Sequence, residues 1–242
     1  MKSRKVNLKS TAIIICLFVF QQSASKIGSL VAGIFNYNSI DEYGLFAKIS
    51  VHHIVQMLLA LLVIVILSKI YNINFGFRSG NVKIGVKNTL IFTACILTTA
   101  IVAGFLNPPS QYSYPLNIKN VFGSLGFQLF LSGPSEEILF RALPITVIVL
   151  LAKSVREYKI FMWNISCATI LSALFFSLAH IKWTVNPFTV SMDIFQLIYC
   201  FVLGIMYGYT YEKSGSVLYP MIMHSISNVI VVGFGFLSAL VK

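Results

Sequence analysis

Apolar stretches long enough to cross a bilayer constrain this chain more than any other feature. A hydrocarbon core is about 30 Å thick, so a helical span needs roughly 17–25 mostly apolar residues. Seven stretches qualify: 11–35, 50–68, 88–106, 120–151, 160–181, 191–211 and 216–240. The fourth is too long for one straight crossing, and Gly133-Pro134 is expected to break it, with a new helix capped at Ser135. The expected fold is all-α, a polytopic transmembrane helical bundle of about seven to eight spans. Composition supports this: 57% of the chain is hydrophobic and 10% is charged, against about 25% charged in a soluble domain. No Pro/Gly/Ser linker divides the 242 residues, which points to one bundle.

Basic residues orient the spans. With the N-terminus cytoplasmic, the inner segments hold Lys2, Arg4, Lys5, Lys9, Lys69, Arg78, Lys83, Lys87, Lys153, Arg156, Lys159 and Lys213. The outer segments hold only Lys48, Lys119, Lys182 and Lys242. The net charge of +11 is therefore a membrane-orientation signal, not a nucleic-acid footprint. The start of the chain loosely resembles a secretory signal, but apolar character resumes after Lys26, so it reads as an uncleaved first span. Cys16, Cys95, Cys167 and Cys200 each sit in an apolar run, with no CxxC pair and no disulfide framework.

Ionisable groups inside spans are costly and usually mark function. In the C-terminal half they are Glu136, Glu137, Arg141, His180 and His224, accompanied by Asn228. The N-terminal spans are read as nearly free of such groups. Glu137 and Arg141 are i and i+4 with the acid first, the favourable order for a helical ion pair. Glu136 is turned about 100° away, so one arginine cannot serve both acids. Glu137 is then structural, and Glu136 is free for proton transfer. His180 follows Phe176 by four residues, and Asn228 follows His224 by four, so each pair shares a helix face. Pro220, one turn before His224, is expected to loosen the backbone there.

A carboxylate, two imidazoles and an amide suit water activation and oxyanion stabilisation. GxSxG and HExxH are both absent, which leaves hydrolysis by an activated water as the leading enzymatic reading. Two other classes use the same residues: an ion- or proton-coupled transporter with a Glu/His relay, and a non-catalytic membrane immunity protein.

In order along the chain, "EEILFR" reads EExxxR, "FSLAH" reads FxxxH and "HSISN" reads HxxxN. Gly204, Gly208 and Gly215 precede the last of them. This set resembles the CPBP (Abi) family, which includes CAAX prenyl endopeptidases and bacteriocin-processing or immunity enzymes. The resemblance implies a CPBP-type four-helix catalytic core over 120–240, and leaves 1–119 as N-terminal helices without an assignable motif. It implies Glu136 as general base on water and His180 sharing or orienting the proton. His224 and Asn228 would stabilise the oxyanion, while Glu137, Arg141 and Phe176 support the site. Members have also been described as metalloproteases. The resemblance thus implies either a glutamate–histidine mechanism with no obligatory cofactor, or zinc held by Glu136, His180 and His224. The expected partners are a peptide or membrane-protein substrate and the lipid bilayer, with no nucleic acid. The expected location is the cell membrane, multi-pass.

Overall fold

The computed structural model describes residues 8–106, 114–152, 156–160, 163–185 and 187–240. Lys2, Arg4, Lys5, Lys153 and Lys242 of the orientation argument lie outside them. The described chain is a helical bundle with two small hairpins. Helices α1 (Leu8–Ala32), α2 (Ala47–Tyr71) and α3 (Val82–Leu106) come first, then a helical rod from Ile118 to Ala152. Next come hairpin β1–β2 (Glu157–Ile160, Trp163–Ser166), α7 (Cys167–Leu178) and hairpin β3–β4 (Lys182–Val185, Phe188–Ser191). The long helices α8 (Ile194–Ser214) and α9 (Leu218–Leu240) close the bundle. Both hairpins are antiparallel, pairing Glu157 with Ser166 and Lys182 with Ser191 at their open ends.

Five of these helices, α1, α2, α3, α8 and α9, are each long and apolar enough to cross a membrane. That is fewer than the seven to eight spans expected. The stretch 160–181 is one source of the difference. Its first part pairs as a strand, and Ser166 then ends the strand by accepting from the Thr169 amide at the N-terminus of α7. The helix that follows has only 12 residues, about 18 Å at 1.5 Å per residue, so it begins below the level that a full span would reach.

The rod is the other source, and it does not break at Gly133-Pro134. It runs as α4 (Ile118–Phe127), a π-helical turn at Gln128–Ser132, α5 (Gly133–Glu137), a second π turn at Ile138–Ala142, and α6 (Leu143–Ala152). Backbone angles stay right-handed helical at Phe127, Ser132, Gly133, Glu137, Ile138 and Leu143, and Ser132 offers no side-chain cap. A proline inside a helix clashes with the carbonyl four residues earlier; the wide turn before Pro134 accommodates it. Ser135 is thus an interior residue. Gly133 matters for approach, because a Cβ there would fall 2.8 Å from the Met221 carbonyl oxygen and 2.5 Å from the Ser225 hydroxyl oxygen, both on α9.

The π turns leave rod carbonyls without ordinary helical partners, and neighbouring helices supply them. Gln21 Nε2 on α1 donates to the Leu139 carbonyl at 3.0 Å, and Ser172 Oγ on α7 donates to the Phe140 carbonyl. The rod is accordingly the centre of the core, with Leu139, Ala142, Leu143 and Ile145 essentially inaccessible. α3 instead lies at the periphery with Leu90, Ile91, Val102 and Phe105 exposed, as expected of a helix that faces lipid. Lys26, a basic residue within a span, is placed with its ammonium 5.3 Å from the Trp183 ring of the second hairpin.

Candidate functional site

Arg141 and Glu137 anchor the site. Both are fully buried on the rod, with Arg141 Nε 3.2 Å from Glu137 Oε2. The second π turn holds Arg141 between two rings, with the guanidinium carbon 4.3 Å from the centre of Phe176 and 5.2 Å from that of Tyr207. Such faces attract a cation most when it is desolvated. Gly204 makes room on the α8 side: a Cβ there would meet the Ala173 backbone at 2.9 Å and approach Arg141 Nη2 at 3.4 Å. Gly208 is a second close approach, against Thr169 of α7, and Gly215 ends α8 in the left-handed conformation at φ 69°.

The other oxygen of Glu137 reaches across to α9, where Oε1 lies 2.7 Å from His224 Nδ1. An ionised carboxylate only accepts, so His224 Nδ1 carries the hydrogen and donates it. In its neutral form the ring presents a lone pair at Nε2, and that atom lies 3.5 Å from Glu136 Oε2. Tyr207 stacks on the same imidazole at 5.1 Å, and its hydroxyl meets Ser227 Oγ at 2.8 Å. Pro220 sits in the first turn of α9. A missing N–H costs nothing there, so it does not loosen the backbone at His224.

Glu136 has a different environment from its neighbour. Its side chain retains 18% exposure against none for Glu137, and no arginine pairs with it among the described residues. Its Oε1 lies 3.7 Å from Nε2 of His53. Sequence alone does not single out this residue, because the N-terminal spans read as nearly free of ionisable groups. His53 is buried on α2, with Nδ1 2.7 Å from Ser135 Oγ and its ring edge-on to Phe127. The available signal was "HHIVQ", two histidines and a glutamine one turn apart within an apolar span. Polar groups there are costly unless they meet a partner.

His180 follows the C-terminal end of α7. Its Nδ1 lies 2.9 Å from the Phe176 carbonyl, which can only accept, and its ring stands edge-on to Phe176 at 5.0 Å. Phe176 also touches His224 at 5.7 Å, so the two imidazoles flank one phenyl ring. Asn228 donates from Nδ2 to Ser132 Oγ at 2.9 Å, which ties α9 to the rod just before Gly133. The structure therefore gathers Glu136, Glu137, Arg141, Phe176 and His224 into one contact network. His180 joins it through Phe176, and Asn228 through the Ser132–Ser135 turn.

Among the described residues, no group of three His, Cys, Asp or Glu side chains could hold a metal ion. His224 Nδ1 is engaged by Glu137 and His180 Nδ1 by a carbonyl. As placed, Glu136, His180 and His224 do not form a zinc ligand set. His53 also lines a cavity of about 430 Å³, together with Ser29, Ala32, Gly44, Lys48, Ile49 and His52.

Residues 118–230 match the family described as type II CAAX prenyl endopeptidase Rce1-like, just under half of the chain. The matched segment runs from the start of the rod into α9 and leaves α1, α2 and α3 outside it. Neither the curated proteins nor the solved structures give a match.

Proposed function

We propose that residues 118–230, an Rce1-like domain of the CPBP family, form the core of an intramembrane endopeptidase in which Glu136 activates the attacking water. One observation carries this reading. Of two adjacent buried acids, Glu137 is engaged by Arg141 and His224, while Glu136 keeps partial exposure and faces the imidazole Nε2 atoms of two other helices.

The hydrogen-bond chain suggests an order of events. Water attacks the peptide carbonyl carbon and gives a proton to Glu136 Oε2, as the carbonyl becomes an oxyanion. The proton passes to the lone pair at His224 Nε2, and Glu137 stabilises the imidazolium through Nδ1. Only in this protonated form can His224 Nε2 donate, first to the oxyanion and then to the leaving nitrogen as the C–N bond breaks. His180 is likewise held with Nδ1–H on a carbonyl and a basic Nε2, which suits it to share or orient the same proton. Asn228 uses one amide hydrogen on Ser132 and keeps the other for the oxyanion. Phe176, Tyr207 and Arg141 keep the assembly rigid and dry, the condition under which such electrostatic groups act most strongly. No step requires a bound cofactor; zinc on Glu136, His180 and His224 would use the open Nε2 atoms of the two imidazoles, which as placed are not gathered with Glu136 around one point.

The substrate on this reading is a peptide or membrane-embedded chain. Bacteriocin self-immunity or maturation of a secreted peptide, in a bacterial cell membrane with the N-terminus cytoplasmic, is the proposed setting. The test uses the full chain in lipid nanodiscs. Its probes are a fluorogenic farnesylated CAAX peptide and an unprenylated hydrophobic peptide, with Glu136→Gln, His180→Ala and His224→Ala as variants. Loss of cleavage in all three, with insertion unchanged, supports the reading; wild-type cleavage in all three defeats it.

A further inference from the structure

His53 lies outside the matched domain, yet it reaches the reacting carboxylate. We propose that His53 is a positioning residue for the base: it donates from Nε2 to Glu136 Oε1 and so leaves Oε2 as the oxygen that takes the proton from water. The inference rests on the endopeptidase reading above and assigns α2 a part in the same site.

The argument starts from what each atom can donate. His224 Nδ1 gives its hydrogen to Glu137, so the neutral His224 ring offers Glu136 no hydrogen, only a lone pair 3.5 Å from Oε2. The ionised Glu136 carboxylate then depends on another donor, and His53 Nε2, 3.7 Å from Oε1, is placed to supply it. If His53 carried its hydrogen on Nδ1 instead, lone pairs would face Glu136 from both sides and neither oxygen would have an imidazole donor. With Nε2 protonated, Nδ1 must accept, and Ser135 Oγ lies 2.7 Å away. That hydroxyl also reaches the Ser132 carbonyl at 3.0 Å, and in the proposed tautomer its single hydrogen turns from that carbonyl to Nδ1. The result is a directed chain, Ser135 to His53 to Glu136 Oε1, which orients one carboxylate oxygen. The other oxygen is left facing His224.

Packing fixes the donor. The His53 ring is edge-on to Phe127 at 5.1 Å and to His52 at 5.3 Å, and only 6% of its side chain is exposed. A contact of 3.7 Å needs a shift of less than 1 Å to become a formed hydrogen bond, and catalytic contacts often tighten only when substrate is bound.

Glutamine and asparagine separate the two nitrogens: a glutamine amide reaches the position of Nε2, an asparagine amide that of Nδ1. In nanodiscs with the farnesylated CAAX peptide, His53→Ala is expected to lower kcat about 10- to 100-fold, the range for one charge-assisted hydrogen bond. KM should stay within about twofold, since the contact orients the base rather than binds the substrate. His53→Gln should recover most of the loss and His53→Asn should not. Equal activity in His53→Ala and wild type, or recovery by Asn alone, overturns the proposal. Glu136→Gln run in parallel separates the failures: if it still cleaves, the endopeptidase reading has failed instead. A readout independent of substrate is the 15N spectrum of the histidine rings, with His53 assigned by its loss in His53→Gln. Hydrogen on Nε2 supports the proposal; hydrogen on Nδ1 overturns it.

Discussion

α3 and the rod are both helical, apolar and at least as long as a membrane span, yet they do opposite things with their surfaces. α3 turns Leu90, Ile91, Val102 and Phe105 outward, and its threonine hydroxyls bond back to their own helix, as Thr98 does to Ala94 and Thr99 to Cys95. The rod buries Glu137 and Arg141 completely and carries two π turns within 15 residues. Each irregularity in the rod creates a polar need that another helix meets: Gln21 from α1, His53 from α2, Ser172 from α7 and His224 from α9. A self-satisfied helix can face lipid, whereas an unsatisfied one must sit at the centre, and only the second kind leaves polar groups free for chemistry.

The sharpest way to break this contrast is to remove the one acid that lacks an arginine. Glu136→Gln should lower the cleavage rate by about 10²- to 10⁴-fold, the range for a general base. The melting temperature should change little, because Glu136 is the less buried of the two acids. Glu137→Gln should do the reverse first. It strands Arg141 among Phe176, Tyr207 and the Gly204 backbone, and breaking a buried pair costs about 3–5 kcal/mol. Thermal unfolding in detergent and cleavage in nanodiscs, measured on both variants, would show whether neighbouring acids divide stability and chemistry. A Glu136→Gln protein as unstable as Glu137→Gln would erase the distinction.

The sequence anticipated this contrast only in part. Hydropathy placed the long helices within a few residues, because span length and apolarity are local. The i, i+4 spacing was enough to anticipate the Glu137–Arg141 contact. Continuity through Pro134 was not legible, because a π turn is stabilised by partners on other helices and leaves no local signature. The short α7 was hidden for a similar reason: hydropathy runs on through this stretch, and only the pairing of Ile160 with Trp163 shows that β1 and β2 precede the helix. His53 was overlooked because its partner Ser135 is 82 residues away. The contact between His224 and Glu137 spans 87 residues, beyond the reach of any spacing argument.

Smaller changes should refine the comparison. Gly204→Ala inserts a Cβ 2.9 Å from the Ala173 backbone, where helix backbones cannot easily part. A cost of about 1–3 kcal/mol is expected from such overpacking. The equivalent change at Gly104 on α3, whose Cβ would meet nothing within 4 Å, should be nearly neutral or slightly stabilising. Gln21→Leu should cost about 1–3 kcal/mol by leaving the Leu139 carbonyl unpaired. Unfolding midpoints should fall for Gly204→Ala and Gln21→Leu and stay at or slightly above wild type for Gly104→Ala. A Gly104→Ala loss as large as that of Gly204→Ala would show α3 to be packed as tightly as the centre.

The smallest expected effect lies at the edge of the bundle, where Asp41 organises the link between α1 and α2. Its Oδ2 accepts from the amides of Phe46 and Ala47 at 2.7 and 2.6 Å, and Oδ1 accepts from Leu45 at 2.8 Å. Burial alone would raise the pKa of this carboxyl, but the converging backbone amides outweigh it and hold the value below the ordinary carboxylate range. A depressed folded-state pKa makes the charged form a stabilising element. Its contribution is fully present above the ordinary value near 3.8 and is lost as pH falls through the lowered one. Amide exchange across residues 33–46 should therefore quicken, relative to its intrinsic rate, as pH falls below the ordinary value near 3.8. Asp41→Asn should show faster exchange at pH 6 and no further acid step. An acid step that persists in Asp41→Asn would assign it to another group, and Glu42 is the next acid in the link. The helices that face lipid would then owe their junction to something other than the one buried carboxylate placed to cap α2.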